Sequence, residues 1–351
     1  MKQIIGVAAP IEIEGKALAG IATVKLLTVD EESAGQRLDN FLFRHLKGVP
    51  KTHVYRIIRS GEVRLNRSRA SVETRVGAGD VIRLPPMRVS ARQAEKIVTP
   101  APAREFPVLF EDEHLLAIDK PAGIAVHGGS GVGFGVIEQL RRARPDAKFL
   151  ELVHRLDRDT SGILLIAKKR SALTRLQTQF RERETGKIYL ALVAGSWLPS
   201  HKVIDLPLHK YLQADGERRV RVTTQGDPDG MRSITLVKIA RQLTLWDSHS
   251  ASQEAGEQKF SLLEVTIKTG RTHQIRVHLA SQGHPVAGDD KYGDFDLNRR
   301  LSKQGLRRMF LHAWRLQFDH PGTMERLALL AGVPDELKMF ADHVHPATAP
   351  V

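Results

Sequence analysis

The stretch Leu152–Lys168, LVHRLDRDTSGILLIAK, sets His154, Arg155, Asp157, Arg158 and Asp159 between two apolar runs. A carboxylate between two arginines, beside so much apolar sequence, is expensive to desolvate, and a chain does not need it merely to fold. Asp157 there suits three kinds of chemistry: metal ligation, general base catalysis or nucleophilic attack. Metal ligation would draw in His154 and Asp159, against the charges of Arg155 and Arg158. A fourth reading is structural, an ion pair at a strand entrance. A second cluster, Arg271-Thr272-His273-Gln274-Ile275-Arg276, favours catalysis. Arg276 falls at the start of a helix and is suited to pair with a buried carboxylate from another segment, holding it ionised. His154 and His273 suit hydrogen-bonding scaffold better than acid–base work, His127 reads as a loop residue, and Arg158 and Asp159 can pair with each other.

These residues need rigid elements behind them. Ile163-Leu164-Leu165-Ile166 reads as a strand buried on both faces, the base that would aim Asp157. Val108-Leu109-Phe110 and Leu115–Ile118 read as a hairpin, and Asp119-Lys120-Pro121-Ala122-Gly123 as a turn. Helices are expected over Val136–Arg142, Ser171–Arg183 and His273–Ser281. Further strands are expected over Lys187–Val193, Ser233–Ile239, Phe260–Lys268 and Phe310–Phe318. Gly128–Gly135 fits no phosphate-loop spacing and reads as a plain loop, and Gly216–Asp229 as polar turns. Strands outnumber helices and short turns join them, so we expect an α+β domain with a mixed, antiparallel-rich sheet over 107–334. A linker over 89–106 and a small domain over 24–88 would precede it. Residues 1–23 read as a disordered leader, 335–351 as a C-terminal tail, and Asp247–Gln258 as a surface insertion.

The small domain holds two amphipathic helices, Gln36–His45 and one capped by Thr52 and stopped by Gly61, then strands Glu62–Leu65 and Val81–Leu84. The whole chain carries 53 Lys and Arg against 40 Asp and Glu, a net +13. Between Gly35 and Arg88 twelve Lys and Arg face four acidic residues, so the excess is concentrated here. Arg37, Lys51, Arg56 and Arg59 avoid the apolar stripes and suit phosphate contacts, pointing to nucleic acid. The absence of cysteine excludes disulfides, thiolate nucleophiles and cysteine-held zinc. No apolar run reaches the ~18 residues of a membrane span. A cytoplasmic location fits, and with no heptad seam we expect a monomer.

RLDNFLFRHLKGVPKTHVYRIIRSGEVRLN with GAGDVIRLPP resembles the S4 RNA-binding domain. DKPAGIAVHGG, ELVHRLDRDTSGILLIAKKRSAL, KIYLALV and TGRTHQIRVHLASQGHPVAGDDKYG, in that order, resemble the RluA family of pseudouridine synthases from about Val108 to Gly322. That resemblance implies isomerisation of uridines in large-subunit (23S) ribosomal RNA, with neither cofactor nor metal. It implies that Asp157 attacks the target nucleotide. Tyr189 would pack on the base and is the candidate for taking the C5 proton, while Arg276 would pair with the aspartate beside Ile275. Arg155 would fill the gap left by the flipped base, and Lys120 and Pro121 would shape the pocket floor. Asp227 stands where the family pattern leads us to expect lysine. Two other readings compete: a non-catalytic RNA-binding or ribosome-assembly factor, and a metal-dependent nuclease using His154, Asp157 and Asp159.

Overall fold

A computed structural model describes residues 24–46, 49–86, 101–128, 133–213, 217–246, 257–343 and 345–346. The expected leader, most of the linker and nearly all of the 247–258 insertion lie outside these. The chain divides into two compact units, Met1–Pro100 and Ala101–Val351.

In the first unit, β1 (Lys25–Thr28) leads to α1 (Leu38–His45) and α2 (Lys51–Arg59), then to β2 (Arg64–Leu65), β3 (Ser68–Arg69) and β4 (Val81–Leu84). The strands pair antiparallel in the order β1-β4-β2-β3. Leu38, Phe41 and Leu42 of α1 meet Val54, Ile57 and Ile58 of α2 in one core, as the helical spacing requires. Thr52 does not cap α2. Pro50 does, because its fixed φ, here −55°, turns the chain into the helix before Thr52 is reached.

The second unit begins with β5 (Val108–Glu111), β6 (Leu115–Lys120), α3 (Val136–Ala143), β7 (Glu151–Leu152), β8 (Ser161–Ala167), α4 (Arg170–Glu182) and β9 (Gly186–Ala194). It continues through β10 (Val203–Asp205), β11 (Leu208–Leu212), β12 (Arg218–Val222), β13 (Ile234–Trp246), β14 (Glu257–Ile267) and α5 (Gln274–Ser281). The last elements are α6 (Phe295–Lys303), β15 (Leu311–Asp319), β16 (Arg326–Leu330), α7 (Asp335–His343) and β17 (His345–Pro346). One sheet runs β10-β13-β14-β9-β15-β8-β6-β5, with β7, β16 and β17 as side branches. It is mixed and antiparallel-rich, and the one parallel pairing among the described strands is β8 with β15.

Strand β8 is buried along its whole length. Ile163, Leu165 and Ala167 face Leu173 and Leu176 of α4. Leu164 and Ile166 face Val136 and Leu140 of α3 on the other side. That double burial explains the unbroken apolar run. Gly162 is required where β8 meets β15: its φ is +108°, and a Cβ there would sit 2.3 Å from the Ala313 carbonyl oxygen.

The stretch expected as polar turns instead contains β12, paired with β11. Its alternation, Arg-Arg-Val-Arg-Val, buries Val220 against Val277 of α5 while the arginines stay outside. The charges hid the period-two pattern. Helix α6, capped by the Asp294 side chain, buries only Leu297 and Leu301 and so gave a weak stripe.

Candidate active site

The loop 153–160 leaves β7, turns back and enters β8. It is pinned at several points. The Val153 amide donates to the Leu165 carbonyl. His154 turns inward: its Nε2 accepts from the Leu165 amide at 3.2 Å and its ring stacks on Phe180 at 4.8 Å. Burial pushes its imidazole down to about 4, so it is neutral, as an accepting Nε2 requires. Lys120 lies fully buried beneath the loop. Its Nζ donates to the carbonyls of Pro121, Ile124 and Arg158 at 2.8–3.0 Å, tying the 120–124 turn to the loop.

Asp157 emerges from this loop with about a quarter of its side chain exposed. Its Oδ2 lies 3.3 Å from Arg276 Nη1 and 4.0 Å from His273 Nε2. The arginine is far more tightly engaged elsewhere. Its Nε and Nη2 donate to the two oxygens of Asp289 at 2.7 and 2.6 Å. Asp289 is completely buried, and its Oδ1 also accepts from the amides of Lys291 and Tyr292. Those donors hold its carboxyl below the usual range despite burial, which acts the other way. Arg276, its own pKa raised further by Asp289 and Asp157 against burial, is therefore a fixed cation. It presents an N–H of Nη1 to Asp157, and its Nη2 also lies 3.5 Å from Asp290.

Tyr292 completes the support. Its ring centroid lies 5.1 Å from the Arg276 guanidinium. Its hydroxyl accepts from the Val220 amide at 3.1 Å and lies 2.7 Å from His273 Nδ1. Nε2 of the same imidazole faces Asp157. Burial is the first cause that lowers the His273 pKa.

A cavity of about 90 Å³ opens beside the carboxylate, lined by Leu156, Asp157, Tyr189, Ile267, Ile275 and Arg276 among others. Tyr189 stands on β9, opposite Val265 on one side and Ala313 on the other. Burial first, then the nearby Asp157 charge, push its phenol well above the usual tyrosine range, so the ring stays neutral. Exposed Arg155 lines both this cavity and a wider cleft of about 380 Å³ reaching His127, Glu217, Arg219 and Lys291.

The fold thus gathers Asp157, Tyr189, Arg276, Ile275 and Arg155. Lys120 lies under the loop, and Pro121 lines a different cavity, of about 670 Å³, with Asp159 and Arg308. His154 points away from Asp157, so the metal constellation His154–Asp157–Asp159 does not form. Asp289 and Tyr292 escaped the sequence reading. Their one signal was an acidic, aromatic turn between Gly288 and Gly293. In the first unit, Lys51, Arg56 and Arg59 are exposed on α2, with Lys51 over Phe43 and Arg59 over Tyr55. Arg37 precedes α1 and pairs with buried Asp39 at 2.9 Å and with Glu73 at 3.3 Å, and Arg56 pairs with Glu62 at 3.3 Å.

Residues 114–281 match the family model described as RNA pseudouridylate synthase, and residues 36–82 match the S4 domain. Over 318 residues the chain is 50% identical to the ribosomal large subunit pseudouridine synthase C of Pasteurella multocida, covering 90% of this chain and 92% of that protein. It is 48% identical over 320 residues to the protein of the same name from Haemophilus influenzae, covering 90% and 94%. Among solved structures, human RNA Pseudouridylate Synthase Domain Containing 1 aligns with a TM-score of 0.55 at 25% identity. That alignment covers 72% of this chain and 94% of the human one.

Proposed function

The chain belongs to the RNA pseudouridylate synthase family, and we propose on that premise that it isomerises specific uridines of 23S ribosomal RNA. The observation that carries the reading is the Asp157 carboxylate, held beside a fixed cation and facing a cavity roofed by a neutral tyrosine. The reaction breaks N1–C1′ and forms C5–C1′; C5 loses a proton and N1 gains one. It involves no net oxidation or hydrolysis.

The uridine must leave its stack to expose C1′ and C6. In this reading Asp157 attacks the nucleotide, its Oδ2 3.3 Å from Arg276 Nη1 and 4.0 Å from His273 Nε2. Tyr189 packs on the base. It is also the candidate for taking the C5 proton, after giving up its own phenol proton. Ile275 closes the apolar wall. Arg155, exposed at the mouth, fills the gap in the RNA by stacking. Lys120 and Pro121 act on the turn beneath the Asp157 loop. Lys51, Arg56 and Arg59 contact RNA phosphates. Arg37 is engaged within its own unit and contributes less. We further propose that the protein works as a cytoplasmic monomer. Among the described residues no helix is long and apolar enough to cross a membrane.

The test is to treat unmodified 23S transcript with the protein and map pseudouridine, beside mapping in a strain that lacks it. Sites missing in the strain and restored by the wild type, but not by Asp157→Asn, are the expected result. Pseudouridine formed by Asp157→Asn would overturn the mechanism.

A further inference from the structure

A second groove, of about 420 Å³, shares Arg155 and Tyr189 with the site. Arg181, Arg183, Lys187, Lys268 and Arg271 line it, and no carboxylate does. The outer cleft past Arg155 is different, because Asp159, Glu217 and Asp290 interrupt its cations.

Lys187 is the telling residue. It is only 8% exposed. Its Nζ donates to Thr185 Oγ1 at 2.9 Å and lies 5.3 Å from the centre of the Phe180 ring. Among the described residues no carboxylate comes within ion-pairing distance of it. Burial, then Lys268 and Arg183, push its ammonium down to about 8. Arg155, Arg183 and Lys268 likewise form no ion pair among the described residues. A buried lysine beside two like charges and without a counterion is costly unless an anion arrives from outside. The register gives that anion an address. Lys187 and Tyr189 alternate on β9 and so share a face, about 7 Å apart along the strand. A base packed on Tyr189 thus leaves Lys187 on the same face of β9 to meet a neighbouring group of the strand.

We propose that this groove is a subsite for the phosphodiester adjoining the flipped uridine, with Lys187 as its buried cationic ligand and Arg183 and Lys268 at its rim. The inference rests on the RNA-isomerising reading and adds to it the path of the strand: the backbone runs along β9, away from the mixed-charge cleft.

The test uses the full-length protein and short RNAs around a mapped uridine, each with a single neutral methylphosphonate on its 5′ or its 3′ side. Wild type should lose about tenfold or more in kcat/KM with one of the two neutral linkages. Lys187→Met should show that loss already on natural RNA and almost none further with the neutral linkage, while Lys187→Arg should recover most activity. The log–log salt slope of RNA affinity should fall by about 0.7 in Lys187→Met. Wild-type indifference to both neutral linkages, a result that needs no variant, would overturn the subsite and leave the reaction standing. Absence of pseudouridine on natural RNA would overturn the reaction and the subsite with it.

Discussion

Arg276 meets three carboxylates, Asp157, Asp289 and the exposed Asp290, and replacing the first two by the isosteric amide should separate their work. Asp289 is fully buried and holds the guanidinium through bonds of 2.6 and 2.7 Å. Asp289→Asn would set an NH₂ group against an arginine N–H and leave a buried cation with only the longer contacts to Asp157 and Asp290, at 3.3 and 3.5 Å. Breaking one side of such a pair costs about 3–5 kcal/mol. At roughly 2–4 °C per kcal/mol for a unit of this size, the melting temperature should fall by roughly 6–20 °C. Asp157 makes one contact at 3.3 Å and is partly solvated, so Asp157→Asn should cost about 1 kcal/mol or less. Activity should rank the other way. Asp157→Asn should be inactive, while Asp289→Asn should retain slow turnover at temperatures where it is folded. Calorimetry gives the first ordering. Release of tritium from RNA labelled at uridine C5 gives the second. Equal melting temperatures for the two variants would refute the division of labour, and so would an active Asp157→Asn.

Replacing Arg56 and Arg59 together with glutamine should weaken RNA binding and flatten its salt dependence, measured by filter binding across salt concentrations; an unchanged slope would remove α2 from the RNA interface. His312 is fully buried, and burial pushes its imidazole down to about 4. The unfolded chain therefore takes up a proton near pH 6.5 that the folded state refuses. The stabilising contribution, on the order of 3 kcal/mol, is complete above pH 6.5 and is lost as pH falls towards 4. Melting temperatures should fall over that window, and less steeply in His312→Asn. Gly162→Ala should strip the second unit of a stable fold, since the new Cβ would strike the Ala313 carbonyl. Gly332→Ala, which meets nothing within 4 Å, should melt like wild type.

The parts that were legible from sequence are those whose side chains answer to one simple pressure. Strand β8 announced itself because both faces are buried, and α1 and α2 because their stripes obey the helical period. The RluA-like motifs carried Asp157, Tyr189, Ile275 and Arg276, which the fold does bring together. The rest depends on partners distant in sequence. Asp289 and Lys120 are of types that ordinarily stay in water, and only the packing shows the arginine and the three carbonyls that let them be buried. The acidic partners of Arg37 (Asp39, Glu73) and of Arg56 (Glu62) were likewise not visible in the sequence. Strand β12 and helix α6 were obscured by their own charges.

The place of β15 in the sheet governs when this protein can begin to act. Among the described strands it alone joins β5-β6-β8 to β9-β14-β13-β10 in the main strand order. Asp157 precedes β8 on one side of that seam, and Tyr189 stands on β9 on the other. A ribosome delivers the chain from the N-terminus, so the RNA-binding unit can close at β4 while the sheet still consists of two unjoined halves. Only when the stretch from Leu311 onward emerges do the two halves lock together. Until then Asp157 and Tyr189 stand on parts of the sheet that no other ladder joins among the described strands.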